Sequence, residues 1–243
     1  MNAGRDATAV MSVSDLLAAL PRASVVFEVV GIDTCCGLSK SLTDAAAAAH
    51  IDVGEVVDLL NSREIAPVSA PDSDAPLTEI TRYIVAHFHR RARSILVELT
   101  ELSRRVCSAH TERLATLWDM KDAIEQLVRE LVPHMRGEER YHFRYIDSMQ
   151  SPELNREILV PLYGTIQYPL QSLRHDHSRD LTAMADLRTI ASDFHPPASS
   201  CKPVQRLYAL MAVFERELQQ HVQIEDQTLF PRAVEMERKL ATI

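Results

Sequence analysis

Glycine is scarce in this chain, with 6 in 243 residues, and aromatic side chains make up only 5%. Both shortages argue against a turn-rich β-sandwich or barrel. No apolar run approaches the roughly 18 residues that a membrane-spanning helix needs. The first ten residues lack the basic start and apolar core of a secretory leader, which points to a soluble, cytosolic protein. Positive charge is in deficit, 26 Lys and Arg against 34 Asp and Glu, for a net charge of −8. A nucleic acid or an anionic membrane is therefore not an expected partner. Cysteine is also too sparse for a disulfide framework: there are four, and two of them are adjacent. What remains is 46% hydrophobic residues, rich in Ala and Leu, and the composition predicts an all-α protein.

Punctuation divides the chain. Residues 1–65 read as a small domain of short helices, with Ser14 as the cap before Asp15, Pro21 as a break and Gly31 as a helix C-terminus. Asp52 caps a last helix through about Leu60. Residues 66–76, A-P-V-S-A-P-D-S-D-A-P, form a linker with few apolar groups, so the part beyond it is expected to fold alone. From 77 to 243, four long segments carry apolar residues in steps of three and four, the pattern of an up-down four-helix bundle. The connection 147–165 is long enough for an extra helical turn around Asn155–Leu159.

Polar residues interrupt the apolar seams at regular heights. His89, His134, His177 and His221 are spaced 45, 43 and 44 residues apart, so antiparallel helices of equal length bring them back to one layer. Two of them open an H-x-x-x-E pair, His134 with Glu138 and His221 with Glu225. That spacing alone is weak evidence, but residues four apart share a helix face, so both members of each pair point inward. Buried without partners, such groups would cost several kcal/mol each; a metal cluster removes that cost. Four imidazoles and two carboxylates are ligands for two metal ions. The carboxylates favour iron, bridged by both glutamates and an oxo or hydroxo group, with a position open to a small diatomic molecule or peroxide. His89 is preferred to His87, and His177 to His175, because each continues its seam. Glu139 and Asp226, one residue past the paired glutamates, turn away on an α-helical wheel. His142 flanks the second seam in a structural role, and His50, His110 and His195 read as surface residues.

Together with the Asp33–Leu38 stretch, D-T-C-C-G-L, the Asp176–His177 pair and the His221–Pro231 stretch, H-V-Q-I-E-D-Q-T-L-F-P, these residues resemble the repair-of-iron-centres family. Its members join a small helical domain with a D-x-C-C-G-G motif to a haemerythrin-like bundle. Leu38 stands where that motif has its second glycine, and Pro133 and Gly137 interrupt the second ligand helix. The resemblance implies a cytosolic di-iron protein of the nitric-oxide and oxidative stress response that repairs damaged iron–sulfur clusters, by donating iron or by a related transfer. It implies iron on His89, His134, His177 and His221, with Glu138 and Glu225 bridging, and damaged iron–sulfur proteins as partners. Cys35 and Cys36, in a loop entering a helix whose N-terminal dipole lowers a thiol pKa, become a redox or iron-transfer pair or a bridge within a homodimer. The alternatives on the same ligands are a nitric-oxide-binding protein and a nitric oxide or peroxide reductase.

Overall fold

The structure, a computed structural model, describes residues 6–63, 68–110, 115–150 and 164–241. The expected turn at Asn155–Leu159 and part of the linker lie outside these ranges. Among the described residues the only β pairing is a single bridge between Ser12 and Ser41, and no helix is long and apolar enough to cross a membrane.

Four short helices come first: α1 (Val13–Ala19), α2 (Ala23–Val30), α3 (Leu42–Ala48) and α4 (Val53–Leu60). Side chains cap three of them. Ser41 accepts the Asp44 N–H and Asp52 the Glu55 N–H. Ser12, and not Ser14, caps α1: its hydroxyl accepts the Asp15 N–H, and Ser14 already lies inside the helix. Gly31 ends α2 with φ +64°, and a Cβ there would collide with the Arg136 guanidinium. Arg136 NH2 donates to the Val30 carbonyl beside it.

The remainder forms four rods. The first is α5 (Leu77–Tyr83) and α6 (Arg90–Ala109), joined by the π-helical segment Ile84–His89. The second is α7 (Ala115–Gly137) and α8 (Phe143–Gln150), joined by a π segment at Glu138–His142. The third is the uninterrupted α9 (Gln167–Ile190). The fourth is α10 (Lys202–Ile224) and α11 (Phe230–Leu240), joined at Glu225–Leu229. Because α5 meets α8 while α6 meets α7, the first two rods run antiparallel. Pro133 lies within α7 without ending it.

Two apolar clusters fill the bundle, one on each side of the polar layer. The lower one gathers Leu77, Ile84, Phe143, Leu170 and Phe230. The upper one, with Leu96, Leu99, Ile124, Leu187 and Phe214, is continuous with Leu16, Val26, Phe27, Val30 and Leu60 of the N-terminal helices. Helix α2 packs on α6 and α7, and α4 packs on α6. The linker's composition suggested independence; the apolar faces of α2 and α4 dock all the same, so the N-terminal unit and the bundle share a core.

Gly31→Val places a branched side chain at positive φ and against Arg136. It should lower the stability of the full chain by about 1–3 kcal/mol in denaturant unfolding; an unchanged midpoint would show that this junction tolerates a side chain.

Candidate metal centre

The three π segments occupy the height at which the predicted ligands lie. In each, the residue after the segment donates its N–H five residues back: Arg90 to Val85, Phe143 to Glu138 and Phe230 to Glu225. Such a turn takes in one residue more than an α-helical turn and shifts the helical phase. Two neighbouring side chains can then serve the interior where a straight α-helix would offer one.

All six predicted residues converge. His89, Glu138, His221 and Glu225 form one cluster whose ligand-type atoms lie within 4.8 Å of one another, and His134, Glu138 and His177 form a second. Glu138 belongs to both. Its Oε2 lies 3.5 Å from His89 Nε2, while Oε1 lies 3.2 Å from His134 Nε2 and 3.5 Å from His177 Nε2. Glu225 repeats the arrangement, with Oε1 3.0 Å from His221 Nε2 and Oε2 3.2 Å from His177 Nε2. Both carboxylates are wholly buried, at 0% exposure. His87 is only partly buried and stacks on Tyr83, and His175 is exposed. His50 and His195 are exposed as expected, whereas His110 is part-buried.

The donor set fits metal ions. Both oxygens of Glu138, Glu225 Oε2, His134 Nε2 and His177 Nε2 are buried without a hydrogen-bond partner. Five such orphans in one layer are hard to reconcile with a purely hydrogen-bonded core, since each forfeits solvation and gains no donor or acceptor. Nitrogen and carboxylate oxygen together suit first-row transition metals, iron among them.

A supporting shell lies behind the layer, and here the α-helical wheel misleads. Glu139 and Asp226 do not turn away. Glu139 Oε1 accepts from His89 Nδ1 at 2.7 Å, and Asp226 Oδ1 lies 3.0 Å from His177 Nδ1. The phase shift at the π segments brings them there. Asp180, one turn past His177 and buried, stands 4.0 Å from His134 Nδ1. Phenylalanines stack on the imidazoles: Phe143 on His89, Phe230 on His177 and Phe88 on His221. A repeated sequence pattern that the helical wheel passed over marks part of this shell. In both pairs the Glu is followed immediately by a second acid, and five residues after the Glu comes a Phe. His142 is part-buried beside this shell.

Charge follows the geometry. Burial alone would depress the His89 imidazole, but the Glu139 hydrogen bond and the nearby Glu225 and Glu138 carboxylates push it up to about 9. His177 is raised against the same opposing burial to about 11 by Glu138 and Glu225. Burial works against ionised Glu139, yet the His89 hydrogen bond and Arg93 hold it down at about 2. Burial lifts Asp180 to about 6.

The cysteine loop differs from expectation. Cys35 and Cys36 are exposed and free. Their N–H groups donate to Asp33 Oδ1 at 2.7 and 3.2 Å. Gly37 packs so closely that a Cβ would sit 2.5 Å from the Asp33 carbonyl oxygen. The next helix begins only at Leu42, so the turn, and not a helix N-terminus, organises the pair. Asp33 satisfies both backbone donors, which lets the loop close before the helix starts.

A four-rod bundle carrying a buried His/Glu layer is the architecture of a haemerythrin-like cation-binding protein. Residues 81–233 match the Hemerythrin HHE cation binding domain, and residues 9–64 match a domain of unknown function, DUF542. The chain belongs to the haemerythrin HHE cation-binding family, and the two domains in this order bear out the resemblance to repair-of-iron-centres proteins. Among its curated relatives is the iron-sulfur cluster repair protein YtfE of Musicola paradisiaca, 28% identical over 224 residues, spanning 92% of this chain and 96% of that protein. The protein of the same name from Edwardsiella ictaluri is 29% identical over 222 residues, 90% and 95% of the two chains. That from Pectobacterium atrosepticum is 27% identical over 229 residues, 92% and 96%.

Without metal, the folded values of His89 and His177 lie above their ordinary 6.5. The stabilisation they give is complete below about 6.5 and is lost as pH rises through about 9 and then about 11. The melting temperature of the metal-free protein should fall over that range, while the loaded protein, its imidazoles held neutral by a metal ion, should change less. Equal pH dependence of the two forms would contradict this.

Proposed function

We propose that the layer holds two iron ions and that the protein repairs damaged iron–sulfur clusters. His89 and His221 would serve one ion and His134 and His177 the other, with Glu138 and Glu225 reaching both. The observation that carries this reading is the placement of one oxygen of each buried glutamate toward each half of the layer. Iron would supply Lewis acidity and one-electron chemistry. The protein's own residues exclude water, through apolar clusters on both sides. They also fix the imidazole rings, through Glu139 and Asp226 at Nδ1 and the stacked phenylalanines.

The curated relatives are named for cluster repair, and the same role is proposed here, in the cytosol and under nitrosative or oxidative stress. The partner is a damaged iron–sulfur protein. Cys35 and Cys36, exposed and free, would meet it and take part in transfer of iron, or join two copies of the chain. A second reading, capture of nitric oxide at the same centre, is favoured by one feature: a cavity of about 10 Å³ ends at His221, lined chiefly by Phe88, Leu131, Met135, Phe214 and Leu218. Its largely apolar lining offers an ordered water few hydrogen-bond partners, which favours a neutral ligand over a charged one.

The aerobically purified protein should contain about two irons per chain, because six inward ligands are too many for one ion that keeps an open position. One zinc and no iron would overturn the assignment.

The cysteines separate the two readings. The Cys35→Ser, Cys36→Ser double variant should keep its iron and its optical response to nitric oxide, yet lose most of its ability to reactivate a nitrosylated iron–sulfur enzyme. Full reactivation by that variant would remove the transfer role and leave gas capture as the better reading.

A further inference from the structure

Arg93 heads the fully buried side chains by size and is 1% exposed, one helical turn beyond His89 on α6. A guanidinium in that position costs several kcal/mol unless its donors are paired. Nε donates to Glu55 Oε1 at 2.5 Å and NH2 to Glu55 Oε2 at 3.0 Å. This is a bidentate fork that fixes the plane of the group. The third donor, NH1, reaches Glu139 Oε1 at 2.9 Å. That same oxygen accepts from His89 Nδ1, and His89 Nε2 faces the metal layer. Glu55 is itself buried and belongs to α4, in the N-terminal unit. An unbroken ionic chain therefore runs from that unit to a nitrogen of the layer.

We propose that Glu55 is a positioning residue of the metal centre, setting the ring of His89 through Arg93 and Glu139, so that docking of the N-terminal unit governs how tightly one half of the centre keeps its ion. The inference rests on the reading that the layer binds metal. Glu55 takes up only Nε and NH2, and the donor left over, NH1, is satisfied by the carboxylate that supports His89 and not by a group confined to the α4–α6 junction. The ring of His177 shows the contrast. Behind His177, Asp226 is approached by Arg174, which is half-exposed and comes from α9 within the bundle. Among the described residues, only the support of His89 passes to the N-terminal helices. With Glu55 removed, Arg93 keeps a single counter-charge, Glu139 is drawn toward it, and the hydrogen bond that orients His89 weakens.

The test compares the iron-loaded full chain with Glu55→Gln, Glu55→Asp and Asp58→Asn, following iron loss to a chelator, the optical spectrum and the melting of each protein without metal. Asp58 is also on α4 and pairs with Arg90 and Arg63 at the same junction; Arg90 also lies 3.9 Å from Glu55, but Asp58 itself makes no bond to Arg93, Glu139 or His89. Glu55→Gln should release about one of the two irons some 10- to 100-fold faster than wild type, the usual scale for losing a ligand's supporting partner. Glu55→Asp, which keeps the charge but shortens its reach, should be intermediate and preserves folding should the glutamine variant fail to fold. Asp58→Asn should leave release unchanged even where it lowers the melting temperature. Unchanged release from both Glu55 variants, or acceleration by Asp58→Asn equal to theirs, would overturn the inference. A wild-type chain that holds no iron would instead overturn the metal reading on which it rests.

Discussion

Glu138 and Glu225 are carboxylates with no access to water, placed where four helical rods meet. Leaving them unpaired there would cost several kcal/mol each, a large part of the 5–15 kcal/mol by which a domain of ordinary size is stable. The bundle is organised to offset that cost. Four imidazoles crowd the same layer, apolar clusters close it on both sides, and acids stand behind the rings. Even so, protein groups alone leave several of its atoms without partners. A cation shared between the carboxylates and neutral imidazoles would satisfy those atoms together.

The π segments let two successive acids serve such a site. In the second rod Glu138 points into the layer and Glu139 braces His89; in the fourth, Glu225 and Asp226 divide the same tasks. Phe143 and Phe230, whose N–H groups close the two wide turns, carry the rings that stack on His89 and His177. Ligand, support and packing thus come from one local distortion used twice. Distortions of this kind are tolerated where a site holds them in place.

Much of this was legible because it is periodic. Equal spacing of the four histidines put them at one height, and the seam placed His177 inward and His175 outward. The all-α class followed from composition, and Gly31 and Asp52 were visible as helix punctuation. Glu139 and Asp226 were not legible on an α-helical wheel, since the π segments Glu138–His142 and Glu225–Leu229 change the phase there. Ser12 displaced Ser14 as a cap because α1 begins at Val13, two residues earlier than expected, which puts Ser14 inside the helix. The bond from Glu55 to Arg93 joins residues 38 positions apart in separate helices, and no local pattern announces it. For the same reason the linker's polar composition concealed that α2 and α4 share a core with the bundle.

The central claim is that two ions lie between Glu138 and Glu225. Anomalous diffraction at the iron edge, from crystals of the iron-loaded full chain, tests it directly. The account predicts two iron peaks within the layer, one nearest His89 and His221 and the other nearest His134 and His177, with a glutamate on either side. A single peak, or iron bound elsewhere with the six side chains unmoved, would contradict it.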